Sequence, residues 1–209
     1  MQEAEIIEIL KNRLQNKRFE HTLDVADTAE EVVRYIYQQK DKLREESIFK
    51  NESKDFIIGR VRQAALLHDL AKNMGTAELY NIADIIIKEW EIDEQELAIP
   101  QVLHAPVSAY LAKHELGVAD YDVLEAIRFH TIGDPAMGEI AQVIFVADFI
   151  EPNRDFLQAQ KARYEFHENG LEAAIIMICD FNIKYNIDWR REIHPNTILL
   201  RNAYLRRQT

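Results

Sequence analysis

Apolar residues recur along the chain at the spacing of helices, and no run alternates apolar and polar positions for long enough to suggest a sheet, so the pattern predicts an all-α fold. A short helix over residues 4–14 precedes a longer one over 18–39, in which His21, Val25, Thr28 and Val32 share a face. Val61, Ala64, Ala65 and His68 then fall at i, i+3, i+4 and i+7, which puts His68 on the apolar side of a helix near its C-terminal end, with Asp69 beside it. Gly75-Thr76 offers the start of another helix, with Leu79, Ile82, Ala83, Ile86 and Trp90 as its stripe and a connection running to Pro100. His104 precedes Ala105-Pro106, a proline suited to a first turn, and the helix it opens runs to about Leu116 and closes at Gly117.

Asp120 can cap a further helix whose apolar face carries Val123, Ile127 and finally His130. Beyond the loop of residues 131–138, Ala141, Ile144, Phe145 and Asp148 share one face, until Pro152 forces the residue before it out of α geometry. Two more helices are expected near 171–185, with Leu171, Ala174, Ile175 and Ile178 inward, and near 196–206. The stretch 39–55 is rich in charges of both signs and reads as a solvated helix extension plus loop rather than core, with a partner-binding insertion as its functional alternative.

The anomaly in this pattern is chemical. His21, His68, His104 and His130, with Asp69 and Asp148, place ligand-type groups on apolar faces or at helix mouths of five separate segments. Burying a carboxylate alone is expensive, and the remedies are a cation, a dense set of hydrogen bonds or a metal ion. Any one of these histidines taken singly is more simply a hydrogen-bonded core residue, but the same interruption on helix after helix points to a shared site. Imidazole nitrogen and carboxylate oxygen suit iron, manganese, cobalt or zinc, not a thiolate-held structural metal. By contrast His114 sits on a polar helix face and His167 in a polar stretch read as a loop, so both belong to the surface; His194 before Pro195 suits either a turn or a base contact. Cys179, among isoleucines, is a small buried apolar residue.

Composition narrows the classes. With 209 residues, 47% of them hydrophobic, the chain can build one domain with a sizeable core. A single cysteine removes disulfide frameworks and suits a reducing cytoplasm. The first eight residues lack a basic region followed by an apolar run, and no stretch reaches membrane-spanning length, so a soluble cytoplasmic protein is expected. A net charge of −11, with Arg206-Arg207 among its longest basic clusters, argues against nucleic acid as partner. A small anionic substrate remains open to it, because a bound divalent metal and a few local cations dominate the field inside a cleft.

The order His21, His68-Asp69, Asp148 resembles that of the HD-domain metal-dependent phosphohydrolases, and His104 and His130 resemble the extra ligands of those that hold two metals. More narrowly, Arg18-Phe19-Glu20-His21-Thr22-Leu23, Leu66-Leu67-His68-Asp69-Leu70-Ala71-Lys72, Leu103-His104-Ala105-Pro106-Val107, Ile127-Arg128-Phe129-His130-Thr131 and the run Glu151-Pro152-Asn153-Arg154-Asp155-Phe156 are similar to the YqeK family of symmetrical diadenosine tetraphosphate hydrolases. The match runs from about residue 18 to 202. The segment 39–55 is longer than is usual there, and the loop Thr131-Ile132-Gly133-Asp134 departs from the common pattern.

The resemblance implies a single helical HD domain over 1–209, with a core at about 18–156 and C-terminal helices in 157–209. It implies that His21, His68, Asp69 and Asp148 hold one ion, and that Asp69 bridges to a second held by His104 and His130; iron is the first choice, with manganese, cobalt or zinc as alternatives. A metal pair about 3.5–4 Å apart would supply hydroxide for attack on phosphorus and steady the phosphoryl charge, with diadenosine tetraphosphate split into two ADP. Asp69 and Lys72 are then the catalytic candidates. Lys72, Arg128, Asn153 and Arg154 are the candidates for holding phosphates, against ordinary readings of Arg128 as an ion-paired residue and Asn153 as part of the turn at Pro152. Glu151 is a candidate for orienting a ligand histidine. Rival functions keep the site and change the substrate to a nucleoside mono- or diphosphate or a cyclic dinucleotide, or keep the fold as a nucleotide sensor without turnover. The sequence leaves the oligomeric state open, a homodimer included.

Overall fold

The computed structural model describes residues 2–207, with Lys42 described by its backbone alone; Met1, Gln208 and Thr209, included in the expected domain, lie outside the described residues. All regular structure among the described residues is helical. The first half contains α1 (Glu3–Arg13), α2 (Asn16–Gln38), α3 (Ile48–Asn51), α4 (Lys54–Leu67), α5 (Thr76–Ile86) and α6 (Glu94–Ala98). The second contains α7 (His104–His114), α8 (Tyr121–Phe129), α9 (Glu139–Ile150), α10 (Leu157–Asn169), α11 (Leu171–Asp188) and α12 (Pro195–Arg207).

The central pair is α2 with α4, joined by α9 and α8, while α10, α11 and α12 pack in sequence beside α9. Val25, Ala26, Ala29 and Val33 of α2 and Val61, Ala64 and Ala65 of α4 are wholly buried. Alanines on facing helices let the axes approach closely, and each buried valine contributes about 1.5 kcal/mol or more of transfer free energy. That close central packing holds the ends of α2, α4 and α9 in register. No described helix is long and apolar enough to cross a membrane.

Most of the predicted helices are observed within a few residues, with α7 closed by Gly117 at φ 68° and α8 capped by Asp120, whose carboxylate accepts from the amides of Asp122 and Val123. Three segments differ. The charged stretch 39–55 is not wholly solvated: Phe49 of α3 is buried, and the Glu139 carboxylate at the start of α9 accepts from Ser47 Oγ and the Ile48 amide, both at 2.7 Å. One aromatic side chain is enough to dock an otherwise polar run. The connection before Pro100 contains α6, started by an Asp93–Glu96 capping box. Residues 157–169, not predicted as helix, form α10, whose buried positions are only Ala159, Ala162 and Phe166, too weak a stripe to read. His167 therefore lies in the last turn of α10, exposed, and not in a loop.

Candidate metal centre and cleft

Helix termini build the site. His68 follows the last residue of α4, His130 follows α8, His104 opens α7, His21 stands in the second turn of α2, and Asp148 near the end of α9. The last carbonyls of a helix have no partner within it, and here they are used. His68 Nδ1 donates to Ala65 O at 2.5 Å and His130 Nδ1 to Ile127 O at 2.8 Å; in the same way His104 Nδ1 donates to Gln101 O at 2.8 Å. His21 Nδ1 donates to Glu151 Oε1 at 3.2 Å. All four rings thus present Nε2 to one another, the arrangement that fixes the tautomer of a ligand histidine.

The remaining distances are short. Asp69 Oδ1 lies 3.1 Å from His104 Nε2 and 3.6 Å from His130 Nε2, while Asp69 Oδ2 lies 3.4 Å from His68 Nε2. His21 Nε2 is 3.0 Å from Asp148 Oδ1. Three sets of ligand atoms fall within 4.8 Å of one another: His21, His68 and Asp69; His68, His130 and Asp148; and Asp69, His104 and His130. The structure therefore brings all six predicted ligand residues together, with Asp69 shared between two sets. His21 Nε2, His68 Nε2 and Asp69 Oδ1 are buried without a hydrogen-bond partner. Buried polar atoms are rarely left so, and three converging lone-pair donors of N/O type fit a cation such as iron, manganese, cobalt or zinc.

Electrostatics favour the ligating forms. Burial lowers His104 to about 4, against the pull of Asp69, and burial likewise lowers His130, so both imidazoles are neutral at neutral pH. Burial pushes the Asp69 carboxyl up, but the adjacent His68 ring and the close approach of the His104 and His130 rings outweigh it and hold the group well below the usual range. Asp148 behaves alike: burial opposes, and His21, His68 and Arg154 prevail. His104 and His130 thus stand neutral beside ionised carboxylates, the states metal binding requires, whereas at His68 burial is outweighed by the Asp69 carboxylate and the imidazole pKa is raised.

A cleft of about 700 Å³ opens from the centre. Its inner end carries Asp69, Asp148 and three cations: Arg18 Nη1 donates to Asp69 Oδ2 at 2.6 Å, Arg154 Nη2 donates to Asp148 Oδ1 at 2.9 Å, and Lys72 Nζ lies 3.0 Å from His104 Nε2. Its outer end is lined by Phe149, Phe156, Phe181 and Tyr185. The turn carrying Arg154 is clamped from α10, where Arg163 Nε donates to Ile150 O at 2.6 Å and Nη2 to Arg154 O at 2.8 Å.

Two predicted phosphate-binding residues stand elsewhere. Arg128 is buried behind the site, with Nη2 donating to Glu96 Oε2 at 2.5 Å and Nε to Trp90 O at 3.2 Å, so its charge is already matched. Asn153 is exposed and serves the turn: its amide donates to Glu151 Oε2 at 2.6 Å, its side chain to Asp24 Oδ2 at 2.5 Å. His194 is buried against Asp93, its Nε2 3.2 Å from Oδ1, and its Nδ1 accepts from the Asn196 amide, so it starts α12 and lies outside the cleft. A further group of ligand-type residues, Asp93, Glu96 and His194, has its cation in Arg128. The sequence reading passed over Arg18, although it lies one turn before His21 on the same face, and over the aromatic wall, whose signal is the i+4 spacing of Phe181 and Tyr185.

The sequence model of the HD domain matches residues 18–153. A protein of Halalkalibacterium halodurans named bis(5'-nucleosyl)-tetraphosphatase, symmetrical, is 32% identical over the whole of both chains. A Bacillus subtilis protein of the same name is 33% identical over 97% of each. The crystal structure of a predicted HD superfamily hydrolase involved in NAD metabolism from Clostridium acetobutylicum superposes with a TM-score of 0.83 at 32% identity, covering 99% of this chain and 98% of that one.

Proposed function

The chain belongs to the HD-domain family, and on that footing we propose that it is a metal-dependent phosphohydrolase that splits diadenosine tetraphosphate symmetrically into two ADP. The observation that carries this reading is the convergence of six ligand-type side chains, three of them with buried unpartnered atoms, at the inner end of a cleft that turns from cationic to aromatic. His21, His68, Asp69 and Asp148 would hold one ion, and Asp69 would reach a second with His104 and His130. Bound there, two ions, iron first among iron, manganese, cobalt and zinc, supply an acidified water and neutralise charge on phosphoryl oxygens.

The chain's own groups do the rest. Arg18 and Arg154 offer planar guanidinium donors to the phosphates, and Lys72 Nζ donates to the oxygen on which charge gathers as the anhydride opens. Phe156 and Phe181 present apolar surface for one nucleobase and keep water from that end of the cleft. The continuous core, from Ile6 to Tyr204, supports a single working domain. The partner is a small nucleotide, and a net charge of −11 leaves nucleic acid unfavoured.

Chelation of the purified protein should abolish turnover of diadenosine tetraphosphate and re-addition of one of the four metals should restore it; turnover undiminished by exhaustive chelation would refute the metal dependence. Glu151→Gln should loosen the hold on His21 and weaken metal retention about 10–100-fold in a chelator titration, with the melting temperature nearly unchanged. Retention equal to wild type would remove Glu151 from the site.

A further inference from the structure

The rings of the cleft continue beyond it. Phe149 and Phe156 lie 5.5 Å apart between centroids, Phe156 stacks on Phe181 at 5.9 Å and 26°, Phe181 meets Tyr185 at 5.7 Å, and Tyr185 meets Trp189 at 6.1 Å. Phe181, Tyr185 and Trp189 are spaced four apart and so follow one face of α11 outward to the residue that caps its C-terminal end. Exposure rises along the line: Tyr185 lines the cleft and is 37% exposed, whereas Trp189 lies outside it and is 63% exposed. Through its contact with Tyr185, Trp189 extends the aromatic lining of the cleft onto open surface, where a planar ligand can reach it.

The chain is turned to reinforce this end. After α11, Arg190 adopts φ 51°, a left-handed conformation that favours glycine, and Arg190 N donates to Ile187 O at 3.0 Å while Arg191 N donates to Asn186 O at 2.8 Å. The reversal lays the Arg191 guanidinium over both rings, 5.5 Å from the Tyr185 centroid and 5.8 Å from that of Trp189. A cation stacked on aromatic faces beside an exposed indole is suited to a planar base with phosphate attached.

We infer that Tyr185 and Trp189, steadied by Arg191, form a stacking shelf for the second nucleobase of a dinucleoside polyphosphate. The inference rests on the function proposed above. A substrate with two identical ends whose phosphate chain lies at the metal centre needs two resting places for its bases. The inner rings at Phe156 and Phe181 provide one, and the aromatic line leading out of the cleft ends on the other. A mononucleotide would use only the inner place, so the shelf distinguishes dinucleoside substrates from their products.

The test is a comparison of Trp189→Ala, Trp189→Phe and wild type for steady-state cleavage of diadenosine tetraphosphate and for inhibition by ADP. Loss of one base-stacking contact predicts that Trp189→Ala raises KM about fivefold to 150-fold with kcat within about twofold, and that Trp189→Phe recovers most of the loss. The inhibition constant of ADP should stay within about twofold of wild type. A KM unchanged in Trp189→Ala overturns the shelf and leaves the hydrolase reading intact. An ADP inhibition constant that rises in step with KM also overturns it, because Trp189 would then serve the near base. Wild type that forms no ADP from this substrate overturns the function itself, and the shelf with it.

Discussion

Replacing Asp69 by alanine is expected to leave the protein without either metal ion and to lower hydrolysis by roughly 10³-fold or more, the upper range for losing a single preorganised electrostatic group. Asp69 belongs to two of the three ligand sets, and its carboxylate faces His68, His104 and His130 from the turn after α4. His68 and His130 also belong to two sets each, but each offers one free ring nitrogen, whereas Asp69 turns Oδ2 toward His68 and Oδ1 toward His104 and His130. His104→Ala or His130→Ala removes a ligand from the second set and leaves His21, His68, Asp69 and Asp148 in place, so each should reduce metal content mainly by one ion. Elemental analysis of the purified variants, reported as ions per chain, reads the difference. Asp69→Ala retaining as much metal as His104→Ala would sink the shared-ligand account.

The second large effect lies away from the chemistry. Glu96 and Arg128 form a buried ion pair, with side chains 2% and 5% exposed. Glu96→Ala leaves a guanidinium in the interior without a counter-charge, held by the Trp90 carbonyl and the Phe129 ring, which destabilises by about 3–5 kcal/mol. At about 2–4 °C per kcal/mol for a chain of this size, the melting temperature should fall by roughly 6–20 °C. Arg128→Met in the Glu96→Ala background should recover part of that loss, since no buried charge then remains. Neither change should alter KM at a temperature where both variants are folded. If Arg128→Met instead raises KM several-fold and leaves the melting curve where it was, the residue contacts substrate after all.

Arg128 also shows where sequence reading stops. Periodicity places it two residues before His130, and a cation beside a ligand invites a phosphate-binding role, but its partner Glu96 sits on α6, a one-turn helix inside what reads as a connection. Nothing in the spacing of residues 94 to 128 announces that pairing. Asn153 is similar: the run Glu151-Pro152-Asn153-Arg154 is legible as a site, but which of its side chains turn into the cleft depends on Arg163, in a helix too weakly patterned to predict. The ligand residues are legible for the opposite reason. Each interrupts an apolar stripe at helical spacing, and a polar group in a buried position needs a cause that the residue's own segment cannot supply. The aromatic line along α11 is visible as i+4 spacing only once the cleft it borders is known.

Symmetrical cleavage is read most directly from chromatography of the products that the metal-loaded wild-type protein forms from diadenosine tetraphosphate. ADP as the sole product is the predicted result; equal amounts of AMP and ATP, or intact substrate, would contradict it.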